Sequence, residues 1–148
     1  MNYEERDLYG IYRATTDNAF GPDTSHGPGP YLMGANTLVG NDVYNKAGED
    51  LGEIKEIMLD MRGNGQVSYA VLSFGGFMGV GEKFFAVPWQ ALTLDTENKR
   101  FILDVTKEQL DSAPGFDKNK WPDMADPTWA AGIHAYYRTT PGQTPAIL

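Results

Sequence analysis

The segment Phe74-Gly75-Gly76-Phe77-Met78-Gly79-Val80-Gly81-Glu82-Lys83 has the composition of an anion cradle. Glycines let backbone amides turn toward one point, and a terminal lysine adds a counter-charge. Gly76 and Gly81 stand at the spacing of a nucleotide-binding loop. However, Glu82 separates Gly81 from Lys83, and no Ser or Thr follows to hold magnesium. Phe84 to Pro88 then reads as a strand, so no helix N-terminus backs the loop. The segment is therefore expected to be a structural loop, with Phe77, Met78 and Val80 folded over the end of a β unit. A ligand loop built on Gly75, Gly76, Gly79, Gly81 and Lys83 is the alternative.

Other chemistry finds less support. There is no cysteine, which excludes thiolate catalysis, disulfides and cysteine-held metals. Asp95-x-Glu97 opens like a calcium loop, but Arg100 stands where glycine is required and Thr106 where the bidentate Glu belongs. Asn41 to Asp50 lacks alternating oxygen ligands, so no metal is expected. Ser68 and Ser73 fall on predicted strands outside any nucleophile elbow. His26 lies in a Pro/Gly-rich stretch, and His134 is expected on the surface, off the apolar stripe of the last helix. No nucleophile, base and orienting group can be assembled, so no catalytic residue is assigned and no cofactor is expected. Carboxylate chemistry at Asp60 or Asp104 would be the remaining enzymatic reading.

A second constellation is aromatic. Trp129, Ile133, Tyr136 and Tyr137 recur at i, i+4, i+7 and i+8, with Trp121 just ahead. Such a stripe can form core or present a handle to a partner. Whether it packs on its own sheet or on another chain is open from sequence.

The elements that must position these residues fall into three zones. Residues 1–36 carry five acids and two bases and include Phe20-Gly-Pro-Asp-Thr-Ser-His-Gly-Pro-Gly-Pro. Pro and Gly at that density sustain neither helix nor central strand, so an extended arm is expected. Residues 37–114 read as a β unit, with strands over 37–44, 51–61, 66–74, 84–89 and 101–105. Ile57, Leu59 and Met61 alternate, and Ile54 is out of phase with them, which predicts a bulge between Ile54 and Ile57. Arg62-Gly63-Asn64-Gly65 is a hairpin turn, and both faces of the following strand are apolar, so that strand is expected to be covered on each side. Thr106-x-x-Gln109 has the form of a capping box. Residues 115–148 form a C-terminal extension, in which Asp126-Pro127 starts the last helix and Pro141 ends it.

Twelve basic against twenty acidic side chains give a net charge of −8 among 148 residues. Direct nucleic-acid binding is not expected of such a chain, because cationic side chains must displace counterions there. No apolar run reaches bilayer-crossing or signal-peptide length, so a cytoplasmic chain with no membrane span is expected.

Leu38-Val39-Gly40, Val43 through Ile54 and Asp60 resemble the opening of the PRC-barrel family. So do Tyr69 through Phe77, Gly81-Glu82-Lys83, Ala86-Val87-Pro88-Trp89 and Leu92. That family is named for the cytoplasmic domain of the photosynthetic reaction-centre H subunit and recurs in a ribosome-maturation factor. The resemblance covers about residues 37–114, and the tail is similar to that of stand-alone bacterial members. It implies a mainly β fold, a small, strongly bent six-stranded antiparallel barrel, acting as a binding or assembly module without catalytic residues. On this reading the chain is an interaction module, a homodimer whose protein partner meets Trp121, Trp129, Ile133, Tyr136 and Tyr137. A small-molecule or anion-binding regulatory domain using the Gly75–Lys83 loop, and a ribosome or RNA-processing accessory acting through a protein contact, are the alternatives.

Overall fold

Positive backbone φ at Gly63 and Gly65 turns the chain between two long alternating segments and sets up the central hairpin. The computed structural model describes residues 1–9, 32–75, 82–141 and 146–147. The central strands are β1 (Asp42–Tyr44), β2 (Asp50–Asp60), β3 (Gln66–Gly75) and β4 (Glu82–Pro88). A 3-10 turn, Trp89–Ala91, leads into β5 (Leu92–Asp95) and β6 (Arg100–Leu103). Two-residue strands β7 (Phe116–Asp117) and β8 (Ala146–Ile147) complete the sheet. The helices are α1 (Ala35–Leu38), α2 (Lys107–Asp111) and α3 (Pro127–Tyr136).

The expected bulge is present, because the β2–β3 register shifts between Ile54 and Glu56. That shift lets Ile54 be fully buried while Ile57 packs against the same core. Gly52 holds φ +101° where β2 crosses β3, and a Cβ there would stand 2.0 Å from the Ser73 carbonyl oxygen. The contact leaves room for glycine alone. Tyr69, Ala70, Val71 and Leu72 on β3 are all buried, as the two apolar faces predict. Val43, Leu51, Leu72, Phe85, Leu103 and Leu110 gather in the core.

The strand order is β7-β4-β3-β2-β1-β6-β5-β8. The β4 and β5 strands lie in opposite halves of that order, yet only Trp89–Ala91 separates them along the chain. The sheet must therefore curl back on itself. It differs from six antiparallel strands in two respects. Its eight strands are mixed, since β1 runs parallel to β6 and β5 parallel to β8. In addition, no ladder joins its end strands among the described residues. Parallel neighbours need a long connection, and the whole of β2 to β5 provides it between β1 and β6.

Several local readings also change. The strand expected over 37–44 is shortened to β1, because the Thr37 and Leu38 amides both donate to the Gly34 carbonyl and wind α1. The boundary expected at residue 36 thus falls inside a helix. The N-terminal residues pack on the rest of the chain as far as Asp7, with Tyr3 and Asp7 buried and the Tyr3 amide donating to the Lys99 carbonyl at 3.1 Å. Arg6 Nε donates to the Thr37 carbonyl at 3.2 Å. The Pro/Gly stretch up to Tyr31 lies outside the described residues.

Candidate interaction surface

The glycine loop is only partly in view: Gly76, Gly79 and Gly81 lie outside the described residues. Gly75 closes β3 with φ +94°, and no described residue comes within 4 Å of a Cβ there. Lys83 pairs across β4 with Phe74 on one side and Asp117 on the other. Its ammonium lies 3.4 Å from the Asp111 carbonyl oxygen and 5.0 Å from the centre of the Phe85 ring. Asp111 ends α2, so the cation sits where unsatisfied carbonyls collect. A Cβ on Gly115 would stand 2.7 Å from the Lys83 Cε, so the lysine stem runs closely over the chain entering β7. Lys83 thus reaches the end of α2 while remaining exposed.

Alternation along β4 buries Phe85 and turns Phe84 to the opposite face. Phe84 is opposite Phe116 in the β4–β7 register, and their rings meet edge-on at 6.1 Å. Trp121 completes the group, 5.0 Å from Phe116 and 6.2 Å from Phe84 between ring centres. A tight turn delivers it: the Lys120 amide donates to the Asp117 carbonyl at 2.9 Å and the Asn119 amide to Asp117 Oδ1 at 3.0 Å. The indole Nε1 donates to the Lys118 carbonyl at 2.9 Å, which fixes its plane. With that donor satisfied, Trp121 remains 42% exposed. Asp117, Lys118, Asn119 and Lys120 around it are exposed. An anchored aromatic centre within a polar rim is the arrangement that supplies binding energy at protein interfaces.

The other aromatics of the expected handle divide. Helix α3 packs on its own sheet, where Trp129 meets Tyr69 edge-on at 5.3 Å and is half-buried. Ile133 and Tyr137 are buried in the core of the same chain. Burial first, and then Tyr136, push the Tyr137 phenol well above its ordinary range. Tyr136 faces outward, and its hydroxyl donates to the Gln109 carbonyl of α2. The expectation of a surface His134 is corrected, because it is 8% exposed. The buried stripe runs through Ile133, His134 and Tyr137 beside half-buried Ala130, one step round the helix from the apolar residues alone. His134 stacks obliquely on Tyr69, its Nδ1 lies 2.7 Å from Thr139 Oγ1, and burial lowers its pKa.

Sequence reasoning missed Phe84 and Phe116 as partners of Trp121. The signal for Phe84 was its alternation with Phe85; β7 is too short to carry one. Away from this cluster, a cavity of about 500 Å³ lies beside Arg6, Leu8, Tyr9, Leu32 and Met33. A more polar one of about 370 Å³ is bordered by Asp42, Tyr44, Asn98 and Arg100. Among the described residues, no three His, Cys, Asp or Glu side chains converge as metal ligands would. No helix there is long and apolar enough to cross a membrane.

No curated protein matches the chain. The family model of the PRC-barrel domain matches residues 32–110, that is 79 of the 148 residues.

Proposed function

Because the chain belongs to the PRC-barrel domain family, we propose that it is a non-enzymatic interaction and assembly module. It works in the cytoplasm as a homodimer and holds a protein partner. The observation that carries this reading is Trp121, half-exposed on the Phe84–Phe116 platform with its own polar atom already satisfied. Tyr136 adds a second exposed aromatic face, whereas Ile133 and Tyr137 contribute by holding α3 in place. A net charge of −8 favours a protein partner over direct RNA contact, including in any ribosome-linked role. Anion binding at the glycine loop is the weaker reading, since Lys83 is engaged by the Asp111 carbonyl and the Phe85 ring.

The test is capture of the partner by the full-length chain, followed by titration with the purified partner. Trp121→Ala is expected to weaken binding by about 2 kcal/mol, roughly 30-fold. Circular dichroism should show the fold retained. Unchanged affinity would remove Trp121 from the interface. Sedimentation should give twice the 16.3 kDa of one chain.

A further inference from the structure

The guanidinium of Arg6 is fixed from two sides. Its Nε donates to the Thr37 carbonyl at 3.2 Å. A Cβ on Gly40 would stand 2.5, 2.6 and 2.7 Å from Cζ, Nη1 and Nη2, so the planar group lies flat across that glycine. Gly40 also holds φ +92°, and the seat therefore belongs to glycine. Among the described residues, neither Nη1 nor Nη2 meets an acceptor. Their free edge is a two-pronged donor, the shape that matches a carboxylate.

This fork borders the cavity of about 500 Å³, a volume within the range of small-molecule sites. Most of the remaining wall is apolar, from Leu8, Tyr9, Leu32 and Met33. Eight large apolar side chains are exposed among the described residues, and four of them, Met1, Leu8, Tyr9 and Leu32, meet here. Such side chains scattered singly are ordinary, but their convergence on a concave site points to an occupant. The Glu5 carboxylate, also at the wall, accepts from the Asn2 amide at 3.0 Å. A neutral apolar molecule would leave the fork unpaired, and a wholly polar anion would leave the apolar wall wet.

We propose that this cavity binds a small amphiphilic carboxylate, its acid group on the Nη1 and Nη2 edge of Arg6 and its apolar body among Leu8, Tyr9, Leu32 and Met33. The site shares no residue with the Trp121 group, so its failure would leave the interaction reading untouched.

The probe is decanoate, titrated below its micelle-forming concentration into the full-length chain with isotope-labelled methionine methyls and followed by NMR. Met33 stands in the cavity wall, whereas Met61 is exposed just after β2 and Met124 precedes α3. Binding predicts a saturable shift of the Met33 methyl while Met61 and Met124 stay still. Arg6→Gln should raise Kd about tenfold or more, and so should decanol in place of decanoate, because each removes a charge-assisted pair. Circular dichroism checks the fold. Should Arg6→Gln unfold, Leu32→Glu, at an exposed position of the wall, sets a repelling carboxylate there with Arg6 intact and should weaken binding by a similar factor. A Met33 signal that does not move would overturn the proposal, as would Met61 moving with it. Decanol binding as tightly as decanoate, or unchanged affinity in the folded variant, would do the same.

Discussion

Gly52 shows how narrowly a single residue can be specified. Its positive φ disfavours any side chain, and the Ser73 carbonyl occupies the place a Cβ would take. Gly52→Ala should therefore cost about 3 kcal/mol or more, because the obstruction is backbone that cannot swing aside. Urea unfolding monitored by tryptophan fluorescence would measure it, and Gly48→Ala gives the contrast. Gly48 also has positive φ, but nothing lies within 4 Å of a Cβ there, so only the conformational strain remains. His134 shows the limit of reading at this scale. Its type places it off an apolar stripe, whereas the structure buries it against Tyr69. Only the sheet beneath α3 decides how wide the buried face is.

At the scale of elements, local signals carried through wherever the chain speaks to its near neighbours. Thr106 and Gln109 satisfy each other's backbone amides at 3.0 and 2.8 Å, as their spacing predicts. Asp126 caps α3 by accepting from the Thr128 amide at 2.9 Å, with Pro127 in the first turn. The capping box has a wider duty than its five-residue helix suggests. The α2 helix buries Leu110, receives Lys83 at Asp111 and receives the Tyr136 hydroxyl at Gln109. Thr106→Ala is expected to lower stability by about 1 kcal/mol. Hydrogen exchange should then quicken at the start of α2 and also in α3. Acceleration confined to α2 would show that the Tyr136 contact transmits nothing. By contrast, β5, β7 and β8 were not foreseen; β7 and β8 have two residues each, too few for an alternation to register.

For the whole molecule, acid should act in two stages. Folding lowers the pKa of His134 from 6.5 through burial, so the unfolded chain binds the proton first as pH falls. The stability this group contributes is complete above about pH 6.5 and is lost below it. Asp95 is nearly buried, which by itself would raise its pKa. Donors from Asn98, Arg100 and the Glu97 amide outweigh that burial, so its pKa falls below 3.8. Its contribution is present above about pH 4 and lost below. Thermal unfolding between pH 8 and 3 should show a first decline from pH 6.5 and a second below 4, and His134→Gln should erase the first. The mainly β character was legible in the short, closely spaced strands and in the family motifs. The parallel ladders were not, because partners so distant in sequence leave no local trace. The β1–β6 ladder sets Val43 beside Phe101, 58 positions apart. Closing a loop of that length must precede any reward from the contacts that end it, so this seam belongs among the last steps of folding. A nascent chain must bring β6 out of the ribosome before β1 gains its second neighbour. Until then the completed β2–β3 hairpin carries one flank of the sheet uncovered.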